Sequence, residues 1–275
     1  MQTMNQPPAV VGCWRAHMNV YERMMRERVS SALIFEDDAD WDVALRAQLV
    51  QFDRGSRYVL NIHDEERPSS PYGSGWDLLW LGHCGSTEYP GNTQRYFVIP
   101  HDPTVAPPEF RLNYKFPDVS RWEHADHQQT RMVFRSGEGA CTTAYGLSLQ
   151  GAMKANFYLN QPNNLPIDLG LGKLCQEEAY HFTCVSAFPS IIGIARPEGI
   201  SSRWSDISSD RTSTGAVAQA SSQSLVYSTW LNLPRLIEGG NVDSQYPDVE
   251  SPHAAVADIE RAVSHAEVIE FPGES

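Results

Sequence analysis

The chain has 275 residues, of which 41% are hydrophobic, and this length and composition suit one large domain with a sizeable core. Its formal net charge of −13 argues against nucleic acid or an anionic membrane as the main partner, because both bind basic surfaces. No run approaches the roughly 18 consecutive apolar residues of a membrane-spanning helix, so we expect no membrane segment.

The cysteine pattern predicts thiols rather than cross-links or a zinc site. The count of five is odd, and no Cys-x-x-Cys pair occurs. We therefore expect reduced, mostly buried thiols.

The N-terminal part of the chain predicts a flexible arm followed by a helix. Residues 1–10 are polar and rich in proline, which is typical of a loose arm. Apolar residues at helical spacing then predict a helix over 14–29, and its stripe contains Trp14, Met18, Tyr21 and Met25. His17 flanks this stripe, where a histidine is more often a hydrogen-bonded core residue than a ligand.

Three consecutive acids follow the first predicted strand. Residues 31–35 are small or apolar and predict a strand buried on both faces, with Glu36, Asp37 and Asp38 directly after it. Ligands of open α/β sheets bind outside the carboxyl ends of strands. Adjacent carboxylates repel each other unless a cation neutralises them, and hard oxygen ligands suit Mg²⁺ or Mn²⁺. The alternative interpretation is a solvated acidic turn without a ligand.

The remaining pattern alternates between strands and helices, which predicts an α/β sheet. Predicted strands cover residues 76–82, 94–99, 139–148 and 181–188, and predicted helices follow Trp41 and cover 149–158 and 171–178. Residues 100–130 predict an insertion loop, and residues 164–170 predict a turn that presents Asp168. Residues 201–224 predict a Ser/Thr-rich linker.

The last part of the chain predicts little regular structure. Residues 225–237 form an apolar patch that can dock on the domain, and residues 254–267 predict one amphipathic helix with Val256, Ile259 and Val263 on one face. We expect disorder beyond this helix.

Four stretches in this order resemble glycosyltransferase family 25, which includes bacterial lipooligosaccharide galactosyltransferases and collagen galactosyltransferases. The sequence of these stretches is most similar to the fungal branch of the family, and the resemblance covers about residues 11–200. The stretches are Gly12-Cys13-Trp14-Arg15-Ala16-His17 with the strand ending in Glu36-Asp37-Asp38, then Trp76 to Gly82, Gly139 to Lys154, and Leu165-Pro166-Ile167-Asp168.

The resemblance implies a GT-A-like, Rossmann-like mixed sheet flanked by helices over residues 11–200, with a partly disordered tail over 201–275. It implies an inverting transferase that moves a hexose from a UDP-sugar, with UDP-galactose the first donor to test, to a hydroxyl of a glycan or protein acceptor. Asp168 matches the position of a carboxylate base. The resemblance also implies a Mn²⁺ or Mg²⁺ ion held by Glu36, Asp37, Asp38 and Asp206, and a donor site that includes Gly12, His17 and Gly82.

The chain departs from the family pattern at two places. Ala16 replaces the serine that precedes the family's histidine. Only Met1 to Val11 precede the first helix, where family members have a strand and loop that grip the nucleotide, so we expect an N-terminally incomplete domain. The alternative function is therefore a catalytically inactive GT-A-like binding or scaffold protein. As the chain stands we expect a cytoplasmic location, and the secretory pathway or Golgi if a segment precedes it.

Overall fold

The computed structural model describes residues 5–62, 70–90, 95–111, 117, 129–161, 165–200 and 215–273. These residues form an α/β fold in which a mixed, mostly antiparallel sheet is flanked by helices. The expectation of a mixed sheet between helices is confirmed.

The described residues contain six α-helices and two short 3-10 turns. The helices are α1 (Pro8–Glu27), α2 (Leu45–Val59), α3 (Leu149–Leu159), α4 (Ile167–Gln176), α5 (Leu233–Glu238) and α6 (Val256–Ser264), and the 3-10 turns are Pro108–Phe110 and Glu178–Tyr180. None of the helices in the described ranges is long and apolar enough to cross a lipid bilayer.

The strands of the large sheet come from most of the chain. They are β1 (Ser31–Phe35), β3 (Leu78–Gly82), β4 (Gly85–Glu88), β5 (Tyr96–Ile99), β6 (Arg131–Ala140), β7 (Ala144–Ser148), β8 (Cys184–Phe188) and β15 (Ile269–Phe271). Their order is β1-β7-β3-β8-β6-β5-β15, and β4 also pairs with β6. Among these described strands only β3 and β8 run parallel.

Smaller pairings complete the sheet structure. A three-stranded sheet joins β2 (Ala39–Trp41), β9 (Ile192–Arg196) and β12 (Ser221–Ser222), and two ribbons join β10 (Gly199–Ile200) with β11 (Ala216–Val217) and β13 (Val242–Asp243) with β14 (His253–Ala254).

Alternating side chains on β3 divide the core between the two faces of the sheet. Leu78 and Trp80 pack with α1, α3 and α4 on one face, whereas Leu79 and Leu81 pack with α2 on the other. All four side chains are buried, because strands in the middle of such a sheet are covered on both sides.

Strand β1 lies where the sequence predicts it, but the expectation that both of its faces are buried is wrong. Within the described residues it pairs with β7 alone, at the edge of the sheet. Ala32 and Ile34 pack on the core, while Leu33 and Phe35 on the opposite face are 47% and 41% exposed. An apolar run alone does not distinguish an edge strand from a central one.

Three other boundaries differ from the sequence expectations. Helix α1 begins at Pro8 instead of residue 14, since proline fits the first turn of a helix, so the expectation of an arm is wrong for residues 8–10. The single strand predicted over residues 139–148 is two strands, β6 and β7, joined by residues 141–143. Asp168 lies in the first turn of α4 and not in a separate turn.

The C-terminal part of the chain packs on the domain where the structure describes it, and the disorder expected beyond the last helix is wrong for residues 269–271. The predicted helix over 254–267 is confirmed as α6, and its Ile259 and Val263 are buried in a cluster with Val226 and Tyr227. Beyond this helix, β15 pairs antiparallel with β5. The linker predicted over residues 201–224 lies outside the described residues from 201 to 214.

Two buried aspartates hold the C-terminal segment against β2 and α2. The Asp42 carboxylate accepts hydrogen bonds from the backbone N–H groups of Ala44, at 3.0 Å, and Tyr227, at 2.9 Å. Asp40 accepts from the backbone N–H of Trp230 at 3.1 Å and from the hydroxyl of Ser228. These acids therefore fix residues 227–230 of the chain and do not face solvent.

The expectation of reduced thiols is wrong for four of the five cysteines. Disulfides join Cys84 to Cys141 and Cys175 to Cys184, and Cys13 is a free thiol. The first pair is 57 residues apart in sequence, so its pairing depends on the arrangement of the sheet and not on local spacing.

Titration of Asp42 predicts a pH dependence of stability. Burial raises the pKa of its carboxyl from 3.8 to about 7, against the lowering effect of its two backbone hydrogen bonds. Between these values the folded protein keeps a proton on Asp42 that the unfolded chain has released, so the contribution of Asp42 to the free energy of unfolding falls as the pH rises from 3.8 to about 7.

Urea denaturation across this pH range compares the natural chain with Asp42→Asn, which has no proton to release. We expect the stability difference between the natural chain and this variant to shrink as the pH rises. The exposed Asp248→Asn variant serves as the control and should follow the natural chain. Parallel pH profiles for the natural chain and Asp42→Asn would contradict the prediction.

Candidate functional site

Glu36 forms the centre of a polar site at the end of β1. The Thr142 hydroxyl donates a hydrogen bond to its carboxylate at 2.6 Å, and Nε2 of His17 on α1 lies 3.5 Å from the same oxygen. The backbone N–H of Glu36 donates to the carbonyl of Thr143 at 2.9 Å. Glu36 is therefore held by α1 and by the connection between β6 and β7.

A chain of buried hydroxyl groups stands behind His17. Nδ1 of His17 lies 2.7 Å from the Tyr145 hydroxyl oxygen, which lies 2.8 Å from that of Tyr21. All three side chains are buried. If Nε2 of a neutral His17 carries the hydrogen that faces Glu36, then Nδ1 accepts from Tyr145 and Tyr145 accepts from Tyr21.

The surroundings of Glu36 favour its ionised form. Burial alone raises the pKa of a carboxyl, but the contacts with His17 and Thr142 lower the pKa of Glu36 below its ordinary value. The group therefore carries a negative charge at neutral pH.

Asp168 reaches the same region from α4. Its carboxylate accepts a hydrogen bond from the backbone N–H of Cys141 at 2.9 Å. Helix α4 lies directly on β6, because a Cβ atom at Gly172 would stand 2.8 Å from backbone atoms of Gly139. This close approach places the first turn of α4 beside residues 141–143, which thus contact both Asp168 and Glu36.

Cys13 completes the group around Glu36. One ligand-type atom from each of Cys13, His17 and Glu36 lies within 4.8 Å of the others. Burial, then the charges of Glu36 and Asp168, raise the pKa of the Cys13 thiol to about 11. A protonated thiol is a poor metal ligand and a poor nucleophile, so this cluster is weak as a metal site.

The other two acids of the run lie outside this group. Asp37 is exposed, and Asp38 accepts a hydrogen bond from Arg196 at 3.1 Å. Burial raises the pKa of Asp38, and the charges of Glu36 and Asp37 raise it further, against the lowering effect of Arg196. In the part of the chain that the structure describes, these three carboxylates do not converge on one point.

Three further residues named from the resemblance occupy different surroundings. Gly12 is exposed on α1, with open space where a side chain would stand. Gly82 is buried, and a Cβ atom there would lie 2.8 Å from the backbone nitrogen of Ala144, which gives this glycine a packing role. Asp206 lies outside the described residues.

Comparisons of the chain with models of protein families, with curated proteins and with solved structures find no match.

Sequence reasoning missed several contributors to the site. Thr142 and Tyr145 lie in a stretch that was read as one strand, and their contacts with Glu36 and His17 join positions more than 100 residues apart. Nothing in the local sequence around Arg196 indicates its contact with Asp38.

The Tyr145→Phe variant tests the hydrogen-bond chain. Removing this hydroxyl leaves the buried Tyr21 hydroxyl and Nδ1 of His17 without their partner, which we expect to lower the free energy of unfolding by about 1–3 kcal/mol. Urea denaturation measures the loss. Tyr158→Phe, at the edge of the same core, is the control. Equal effects of the two variants on the free energy of unfolding would show that the hydrogen bonds of the Tyr145 hydroxyl contribute no stability.

Proposed function

We propose that this chain is a metal-dependent inverting glycosyltransferase that moves a hexose from a nucleotide-sugar donor to a hydroxyl of a glycan or protein acceptor. One observation carries the proposal. The family resemblance selects Glu36 and Asp168 from separate parts of the chain, and both contact residues 141–143. His17, which it also selects, lies 3.5 Å from Glu36. A likeness of short motifs alone gives no reason for these side chains to be neighbours.

We also propose that the fold is GT-A-like, and the position of the acidic residues 36–38 is compatible with this. The acidic run directly follows β1, at one end of a mixed sheet that helices cover on both faces. In α/β proteins that edge is a common place for ligands.

The acidic run also fits a hard divalent cation. Such ions need only one or two protein carboxylates when the substrate's phosphate oxygens complete the shell. Asp37 is exposed, and the repulsion that Glu36 and Asp37 exert on Asp38 is the kind that a cation relieves. Asp37 and Asp38 would hold Mn²⁺ or Mg²⁺, with Glu36 beside them, and Asp206 stays a predicted further ligand. When bound, the ion would offset the charge of the departing nucleotide diphosphate.

Asp168 is a better candidate for the catalytic base than Glu36, the other carboxylate that contacts residues 141–143. An inverting transfer needs a carboxylate that takes the proton from the acceptor hydroxyl. The contacts of the Glu36 carboxylate with His17 and Thr142 stabilise its anion, which lowers its basicity. One oxygen of Asp168 is anchored by the Cys141 N–H, and that bond orients the other oxygen, which would receive the proton.

Titration calorimetry of the chain with UDP and UDP-galactose, with and without Mn²⁺, tests the donor site. We expect micromolar to sub-millimolar dissociation constants, roughly −8 to −5 kcal/mol, that require the metal. Because Asp37 and Asp38 are the proposed ligands, Asp37→Asn/Asp38→Asn should abolish the metal-dependent part. Asp248→Asn/Glu250→Gln removes the same number of negative charges from the exposed surface and serves as the control.

Absence of donor binding to a well-folded chain would contradict the transferase proposal. That result would favour the alternative, a GT-A-like binding or scaffold protein without a working nucleotide site.

Asp168→Asn tests the base. Removing it should lower the turnover rate by about 10²–10⁴-fold, because that is the usual contribution of a general base, and should leave donor affinity unchanged. Release of UDP from UDP-galactose, measured across a set of hydroxyl acceptors, gives the rate. A variant with natural turnover would assign the base to another group.

A further inference from the structure

The Cys84–Cys141 disulfide lies directly beside the candidate site. Cys84 stands between β3 and β4, and Cys141 is the first residue of the connection between β6 and β7. The backbone N–H of Cys84 also donates to the carbonyl of Ala140 at 2.9 Å. The bond therefore ties two turns at the same end of the sheet.

Cys141 is held at three points. Its sulfur is bonded to Cys84, its N–H donates to the Asp168 carboxylate at 2.9 Å, and its carbonyl accepts from the Trp80 indole N–H at 2.9 Å. Its φ angle of 63° is uncommon for a residue with a side chain and persists where the surroundings hold it.

The two residues after Cys141 contact the other carboxylate of the site. Thr142 donates its hydroxyl hydrogen to Glu36, and the Thr143 carbonyl accepts the Glu36 N–H. A shift of the Cys141 backbone would thus alter the anchors of Asp168 and Glu36 together.

The two disulfides differ in their access to solvent. Cys84 and Cys141 are both half-buried, whereas Cys175 and Cys184 are each 1% exposed within the core. A dithiol reductant in solution can therefore reach the first bond far more easily than the second.

We propose that the Cys84–Cys141 disulfide is a redox-sensitive positioning element, which holds residues 141–143 so that Asp168 and Glu36 keep their places. The effect of the disulfide on turnover rests on the proposed function, whereas its effect on the positions of Asp168 and Glu36 does not. A dithiol of the thioredoxin or dithiothreitol type reduces the bond. Its thiolate attacks one sulfur to give a mixed disulfide, and its second thiol then closes to a disulfide, with two electrons and two protons passing to Cys84 and Cys141. The opened connection no longer fixes Asp168.

The Trp80 indole N–H provides a readout that needs no enzymatic activity. It bonds to the Cys141 carbonyl, and its resonance in a ¹⁵N spectrum is assigned with Trp80→Phe. After reduction with dithiothreitol we expect this proton to exchange with solvent at least about tenfold faster, because opening of the connection breaks its bond. Mass spectrometry after alkylation identifies which cysteines were reduced.

Two double variants separate this bond from the general effect of losing a disulfide. Cys84→Ala/Cys141→Ala should reproduce the faster exchange at Trp80, and Cys175→Ala/Cys184→Ala should keep the natural exchange rate. If the first variant does not fold, mild reduction of the natural chain gives the same comparison. Unchanged Trp80 exchange after verified reduction of Cys84 and Cys141 would overturn the proposal.

The amide of residue 141 tests the link to Asp168. In the disulfide-bonded chain, Asp168→Asn should speed the exchange of this amide, because it loses a charged acceptor. In the Cys84→Ala/Cys141→Ala background the same substitution should add little, since the contact is already lost. Equal effects in both backgrounds would show that Asp168 keeps its place without the disulfide and would overturn the proposal.

Transfer of galactose from UDP-galactose gives the functional arm. We expect turnover to fall in the reduced chain and in Cys84→Ala/Cys141→Ala, with donor affinity retained and turnover restored in the chain by reoxidation. Full turnover in the reduced chain would contradict a positioning role. If no variant transfers sugar, the proposed function fails, while the Trp80 and residue-141 exchange rates still decide the role of the disulfide.

Discussion

The three-residue connection between β6 and β7 is the constraint on which the site depends. Residues 141–143 meet Asp168 through one backbone N–H and Glu36 through a hydroxyl and a carbonyl. The connection is short, and the sheet fixes both of its ends, so its groups have few positions available. Helix α4 can approach it because Gly172 has no side chain where α4 touches β6, and a Cβ atom there would stand 2.8 Å from backbone atoms of Gly139.

The acidic residues between positions 36 and 42 have two different roles, which the sequence alone does not distinguish. Glu36 and Asp38 have partners at the site end, namely His17 and Arg196. Asp40 and Asp42 instead turn inward and accept hydrogen bonds from the segment that contains Tyr227 and Trp230. One short stretch therefore links the candidate site to the packing of the C-terminal region.

The sequence predicted where helices and strands lie along the chain better than it predicted which of them pack or pair with each other. Helical spacing located α1 and α6, and apolar runs located β1, β3 and β8, because these signals are local. The edge position of β1 and the pairing of β15 depend on contacts between distant residues, for which a single sequence holds no direct signal. The same distinction applies to the site, where motif likeness selected Glu36, His17 and Asp168, while Thr142, Tyr145 and the Cys84–Cys141 bond became visible only in three dimensions.

The position of β15 has a consequence for how the chain reaches its fold during synthesis. Strand β5, at residues 96–99, has β15 on one side, and β15 is residues 269–271. The ribosome releases residues roughly in order at about 5–20 per second, so β5 waits many seconds for this partner. Until then one edge of the sheet presents unpaired backbone groups, which favour association with other chains. The pairing of β5 is therefore complete only after translation has passed residue 271.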